Sequence, residues 1–269
     1  MADRLALALP PWAEGVLVIG DVHGQARLFQ AAVDLATAER RYVLSLGDLV
    51  DRGPDNDGCI RLMLDLLGRK TGTFIRGNHD DKLHRTLKGN PTSVDSDLAV
   101  TLEQLDAAPD SKALKRGFCS AFRAAPFVAT LGNSVMVHGA FARAMLASRT
   151  FHPRLKALAL YGETASGGGG SKPVRTYRWA EKVRAGMTVV IGHHPISDRV
   201  VLVRANKLGG KVVHLDCGAG KGRGLGVLRL ASDGRIENAS RIAYAGHGPE
   251  LEPAPLVMIE ELDGKEEIG

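Results

Sequence analysis

Five times along this chain a short apolar run stops beside a glycine and hands over to a carboxylate, an amide or an imidazole. The runs are "VLVIG" before Asp21 and His23, "YVLSLG" before Asp48, Asp51 and Arg52, "TGTFIRG" before Asn78, His79 and Asp80, "NSVMV" before His138, and "MTVVIG" before His193 and His194. Apolar runs this short, bounded by turn residues, read as buried strands. The first three alternate with the longer helical patterns "ARLFQAAVDLATAE", "DNDGCIRLMLDLLG" and "DDKLHRTLKG". That rhythm predicts an α/β fold with crossover helices, whose ligands gather at the carboxyl ends of the strands. Alternate positions of an extended segment point the same way, so Asp21 and His23 can converge on one object. Taken alone, this D-x-H is read as readily as a turn whose Asp caps a helix starting near Gln25. Five such clusters at five strand ends favour a shared metal site. Carboxylate, amide and imidazole donors without thiolates suit Mn, Fe, Zn or Co better than calcium.

The rest of the chain frames that edge. Residues 93–125 read as an inserted helical cap, and strand-like pieces return in "VVLVRA", "KVVHLDCG" and "GLGVLRLA". "ETASGGGGSKP", residues 163–173, reads as a mobile loop. A length of 269 residues at 44% hydrophobic content suits one domain over 1–248, followed at 249–269 by an acidic tail or a last strand around "PLVMIEEL". Seven acidic residues of that tail stand against Lys265 alone, so the body carries more positive charge than the whole chain's +5. A basic body is compatible with phosphate-rich ligands as well as with an ordinary solvated surface. Cys59, Cys119 and Cys217 are too far apart for a thiolate site and imply a reducing compartment. No signal peptide or membrane-spanning run is present, which points to a cytoplasmic protein with no membrane partner. The absence of a G-x-x-x-x-G-K-[ST] loop disfavours ATP-driven phosphoryl transfer of that type.

In order, the motifs G-D-x-H-G, G-D-x-x-D-R-G, G-N-H-D, H-G and G-H-x-P over residues 16 to about 230 resemble the calcineurin-like metallophosphoesterases, in the branch of serine/threonine phosphatases and diadenosine tetraphosphatases. A narrower passage, "LYG…PVR…WA" before Gly192, resembles the phosphatase module of bacterial polynucleotide kinase-phosphatases. The resemblance implies a four-layer α/β/β/α sandwich of two mixed sheets flanked by helices, with a small helical cap. It implies two divalent ions, Mn²⁺ first, with Fe, Zn, Co or Ni as alternatives. Asp21 and His23 would hold one ion, Asp48 would bridge, and Asn78, His138 and His193 would hold the other. A bridging hydroxide would then attack phosphorus in line, with Arg52 on the phosphoryl oxygens, His79 as general acid, and Asp51 orienting and polarising His79. Asp216 would anchor the site from behind.

Two departures affect the substrate. The family's G-H-T-P is here Gly192-His193-His194-Pro195; neighbours on a strand end point opposite ways, so His193 is the favoured ligand, and His194 touches substrate, supports the site or merely packs. After Asp216 the loop reads "CGAGKGRG", with extra Lys221 and Arg223. Arg175 and Arg178, beside Tyr177 and Trp179, are candidate substrate contacts, with Trp179 alternatively a core residue. The expected substrate is a phosphorylated small molecule, a nucleotide or an RNA end. The alternatives are diadenosine tetraphosphate, a phosphoprotein, or a non-catalytic role as a metal-binding regulator.

Overall fold

Every residue of β2 (Gly15–Ile19) is buried, and its alternation serves two different cores. Leu17 and Ile19 pack among helices, whereas Val16 and Val18 pack against a second sheet. The structure, a computed structural model, describes residues 2–165 and 174–259. The six-stranded sheet has the order β14 (Gly248–Pro253), β13 (Ile236–Ala245), β12 (Leu225–Ala231), β2, β3 (Arg41–Ser45), β4 (Gly72–Phe74). The seven-stranded sheet has the order β1 (Arg4–Ala6), β5 (Val128–Leu131), β6 (Ser134–Val137), β9 (Thr188–Ile191), β11 (Lys211–His214), β10 (Val201–Ala205), β15 (Leu256–Ile259). A two-stranded ribbon, β7 (Glu163–Ala165) with β8 (Val174–Thr176), lies apart from both.

Three cores give four layers. The first sheet packs outward on α1 (Ala26–Ala38) and α2 (Asn56–Arg69), through Phe29, Ile60 and Met63. Val16, Leu44, Met136, Val190, Val213 and Leu228 fill the space between the sheets. The second sheet packs outward on α6 (Ala144–Ala147) and α7 (Pro153–Tyr161), with Trp179 in that core. Each fully buried large aliphatic or aromatic side chain contributes roughly 1.5–3 kcal/mol. This is the sandwich of two mixed sheets flanked by helices that the motifs imply.

Topology brings the polar strand ends together. Strands β2, β3 and β4 run parallel, as do β6, β9 and β11, so the residues following each set emerge at the carboxyl ends of neighbouring strands. Between the sets lie α3 (Asn78–Leu87), α4 (Ser96–Ala107) and α5 (Ser111–Ala124). The last two correspond to the expected cap, yet Leu98, Leu105, Phe118 and Phe122 bury them in the same core as α1 and α2. The segment read as a tail from Pro249 is strand up to Ile259: β14 pairs with β13 and β15 with β10, at one edge of each sheet. Of the loop read at 163–173, residues 163–165 form β7 and 166–173 lie outside the described residues. Among the described residues no helix is long and apolar enough to cross a membrane.

Candidate metal centre

Asp48 is the hub. Its Oδ2 lies 3.7 Å from His23 Nε2 and 3.4 Å from His138 Nε2, so one carboxylate oxygen faces an imidazole from each sheet. The far side of each ring is fixed: His23 Nδ1 donates to the Val50 carbonyl at 3.0 Å and His138 Nδ1 to the Leu46 carbonyl at 2.9 Å. Both Nε2 atoms are thereby turned inward, the orientation that a metal-ligating histidine requires. His138 Nε2 also lies 2.9 Å from Asn78 Oδ1 and 3.2 Å from His193 Nδ1. Donor atoms of His23, Asp48 and His79 fall within 4.8 Å of one another, as do those of Asp48, His138 and His193. Two groups sharing one carboxylate, with oxygen and nitrogen donors, fit a pair of divalent ions. Asp21 stands at 3.9 Å from His23 Nε2, but both its oxygens accept from the His193 amide, at 3.0 and 2.9 Å. It does not cap α1, whose first turn has no side-chain cap.

The backbone is bent to aim these groups. His23, Asp48, Asp51, Arg52 and His193 all have φ between 47° and 72°, a left-handed conformation that non-glycine residues adopt at a cost. Close approach is needed too. A Cβ on Gly77 would lie 2.1 Å from the Asp48 amide nitrogen, so only glycine lets α3 begin against the hub and deliver Asn78.

Burial and charge then divide identical residue types. Burial pushes the His23 imidazole down to about 4, keeping it neutral. Burial acts on His138 in the same direction, but Asp48 and Asp21 outweigh it and raise it to about 9. Burial tends to raise Asp48, and the surrounding His138, His79 and His23 reverse this, holding it well below the usual carboxylate range. Asp21 is pushed well up by burial and by Asp216, itself raised to about 6 by burial.

His79 Nδ1 donates to Asp51 Oδ2 at 2.7 Å, and Arg52 lies over the His23 group, with Nη1 2.9 Å from His23 Nε2 and Nη2 3.2 Å from His79 Nε2. Burial lowers the His79 imidazole, but Asp48 and Asp51 prevail and raise it above its ordinary value. Sequence reasoning missed Thr101. Its hydroxyl, buried on α4, donates to Asp51 Oδ1 at 2.6 Å, fixing the carboxylate that orients His79. A threonine inside a helical pattern gives no motif by which to find it. Asp80 was noted but given no role; it is buried, accepts from the Leu49 amide at 3.0 Å and is raised to about 7, first by burial and then by Asp48.

The substrate candidates separate. Arg175 is half-buried, and Tyr177, Asp21 and Asp216 lie near enough to act on its charge, on the side of the centre. Arg178 turns away to Glu163 at 3.9 Å, with its side chain 72% exposed. His193 and His194 do point apart: His194 Nδ1 lies 2.7 Å from the Tyr177 hydroxyl rather than in the metal groups. Behind that pair sits His214, buried with neither ring nitrogen hydrogen-bonded among the described residues and pushed down to about 3 by burial and then by His194 and Arg204. Asp216 accepts from the Gly218 amide at 2.9 Å.

Comparisons with known proteins give a family, relatives and a shared fold. The profile of the calcineurin-like phosphoesterases matches residues 15–217. The chain is 29% identical over 227 residues to a bis(5'-nucleosyl)-tetraphosphatase PrpE [asymmetrical] of Geobacillus thermodenitrificans, covering 79% of this chain and 89% of that protein. It is 25% identical over 243 residues to the protein of the same name from Geobacillus sp. strain WCH70, covering 84% and 95%. A protein serine/threonine phosphatase of Saccharomyces cerevisiae shares the fold, with a TM-score of 0.56 and 17% identity, over 92% of this chain and 87% of that one.

Proposed function

The chain belongs to the calcineurin-like phosphoesterase family and is a phosphoester hydrolase, and we propose that its substrates are dinucleoside polyphosphates, cleaved at a binuclear centre held by Asp21, His23, Asp48, Asn78, His138 and His193. The carrying observation is the single Asp48 oxygen set 3.7 and 3.4 Å from imidazoles of the two sheets. Two divalent ions, Mn²⁺ foremost, would supply Lewis acidity and a more acidic water when bound there. Arg52, already seated against His23 and His79, binds the oxygens of the phosphoryl group as a two-pronged fork. His79 holds a proton for the leaving oxygen, Asp51 fixes its tautomer, and Thr101 fixes Asp51. Arg175 neutralises charge on the neighbouring phosphates. The names of the bis(5'-nucleosyl)-tetraphosphatase relatives support the substrate class. Three buried, unpaired cysteines suit a reducing cytoplasm.

The test is a side-by-side measurement of Mn²⁺-dependent kcat/KM on diadenosine tetraphosphate, on an RNA end bearing a terminal or 2',3'-cyclic phosphate, and on a phosphothreonine peptide. A preference of about a hundredfold for the first, roughly 2.7 kcal/mol of differential transition-state binding, is expected. A hundredfold preference for the RNA end or the peptide would reassign the substrate.

A further inference from the structure

A nucleobase stacks on an aromatic ring only where a ring face is open. Tyr177 and Trp179, the aromatic residues that the sequence sets beside Arg175, are 7% and 6% exposed and serve the core. Two other tyrosines are open and are joined to the two halves of the centre by short runs of contacts. Tyr244, near the end of β13, is 44% exposed. Its hydroxyl donates to Gln25 Oε1 at 3.2 Å, and Arg27 Cζ lies 5.8 Å from its ring centroid. Gln25 Nε2 in turn donates to the Ala219 carbonyl at 3.3 Å. The next residue, Gly220, packs so tightly that a Cβ there would lie 2.7 Å from His23 Cδ2 and 2.9 Å from Arg52 Cδ. Tyr244 is therefore tied by a short run of contacts to the His23 half.

Tyr161, the last residue of α7, is 43% exposed, with Asp81 and Arg85 of α3 facing its hydroxyl. Gly162 follows it and seats against Gly139, where a Cβ would lie 2.5 Å from the Gly162 amide nitrogen. Gly139 follows His138. Each half of the centre thus has its own open tyrosine with an arginine beside it, Tyr244 with Arg27 and Tyr161 with Arg85.

We propose that these tyrosines are two base-stacking platforms, taking the two nucleobases of a dinucleoside polyphosphate whose phosphate chain crosses the metal centre. This deepens the substrate reading above and rests on it. Stacking tolerates any base, a tyrosine ring loses little freedom on binding, and the neighbouring guanidinium attracts the phosphates that follow the base. A substrate with two bases would use both platforms, and one without bases would use neither.

The test compares wild type with Tyr244→Ala, Tyr161→Ala and the double variant on diadenosine tetraphosphate and on p-nitrophenyl phosphate, which has no base. Each single variant is expected to raise KM for diadenosine tetraphosphate roughly tenfold, with the double near the product of the two. Turnover of p-nitrophenyl phosphate should stay within about twofold, and Tyr→Phe should retain the wild-type KM, because the ring rather than the hydroxyl carries the contact. Tyr244→Trp keeps a ring and should report binding directly, as quenching of its added fluorescence by diadenosine tetraphosphate without divalent metal. Alanine variants with unchanged KM, or equal losses on both substrates, would overturn the platforms and leave the substrate reading standing. Wild-type enzyme that turns over p-nitrophenyl phosphate but not diadenosine tetraphosphate would instead remove the substrate reading, and the platforms with it.

Discussion

The two halves of the metal centre are built from the same kinds of residue at the same kinds of strand end, yet a cation approaching each would meet a different competitor. On the His23 side the imidazole is neutral, pushed down to about 4, and its inward nitrogen faces the Arg52 guanidinium at 2.9 Å. On the His138 side the imidazole is held up to about 9 by Asp48 and Asp21, and the competitor is its own proton. Both rings are buried and both lie within 4 Å of Asp21 and Asp48, so neither burial nor the number of carboxylates sets their charge; what differs is that Arg52 and His79 press on His23, whereas His138 is hydrogen-bonded to Asp48. One half is gated by a side chain that a substrate phosphate can draw away, and the other by pH.

The largest effect should come from removing what the halves share. Asp48→Asn is expected to deplete both ions, counted by mass spectrometry of the purified protein, and to lower kcat/KM roughly a thousandfold or more. Loss of one ion only would show that Asp48 belongs to one half. Next comes His79→Ala, which should keep both ions and lose roughly a hundred- to ten-thousandfold on substrates with poor leaving groups. In the wild type the same role should fail as pH rises through the elevated His79 value, because its proton is present below that value and absent above it. If the variant's metal content falls with its activity, His79 is a ligand, as its place in the first donor group allows.

The contrast between the halves is sharpened by measuring metal affinity against pH. Below about 9 His138 must release a proton to bind a cation, so affinity at that half should fall about tenfold per pH unit as pH falls, whereas on the other side the His23 imidazole is neutral down to about 4 and only Asp21, pushed well up by burial, has a proton to lose. Two titration steps with different pH slopes are expected in calorimetry; two equal slopes would erase the distinction. Smaller again is Thr101→Val. It leaves a buried Asp51 oxygen without its donor at a cost of about 1–3 kcal/mol in stability, and it should shift the His79 limb of the pH–rate profile with metal content unchanged. At the bottom of the scale, Arg178→Ala should change kcat/KM less than about twofold, since an exposed ion pair contributes about 0–1 kcal/mol.

What could be read in advance follows from how far each role depends on local sequence. Asp21, His23, Asp48, Asn78, His138 and His193 each follow an apolar run that fixes both strand and exit point, so their convergence was visible before any coordinates. Thr101, Tyr161 and Tyr244 have no such frame. Thr101 matters only because α4 packs down on the turn carrying Asp51, and the two tyrosines only because remote glycines let their segments touch strand ends far away in sequence. Arg175 and Arg178 look equivalent in the sequence, but Arg175 sits within β8 on the side of Asp21 and Asp216, whereas Arg178 lies past its end and turns to Glu163. Glu250 and Glu252 suggest a tail because edge strands carry charge on their open face, which masks the pairing of β14, whereas the apolar run within "PLVMIEEL" reads as a last strand and is β15.

Those last two strands have a mechanical meaning. Three candidate ligands hang from one sheet and two from the other, with Asp48 facing across, so the distance between the sheets is also the width of the metal centre. Between β14 and β15 the chain crosses from one sheet edge to the other in two residues, Ala254 and Pro255, with Ala254 fully buried and the Pro255 carbonyl accepting from the Val201 amide at 3.1 Å. So short a crossing ties together the far margins of the two sheets, the same pair of sheets from which the candidate ligands hang.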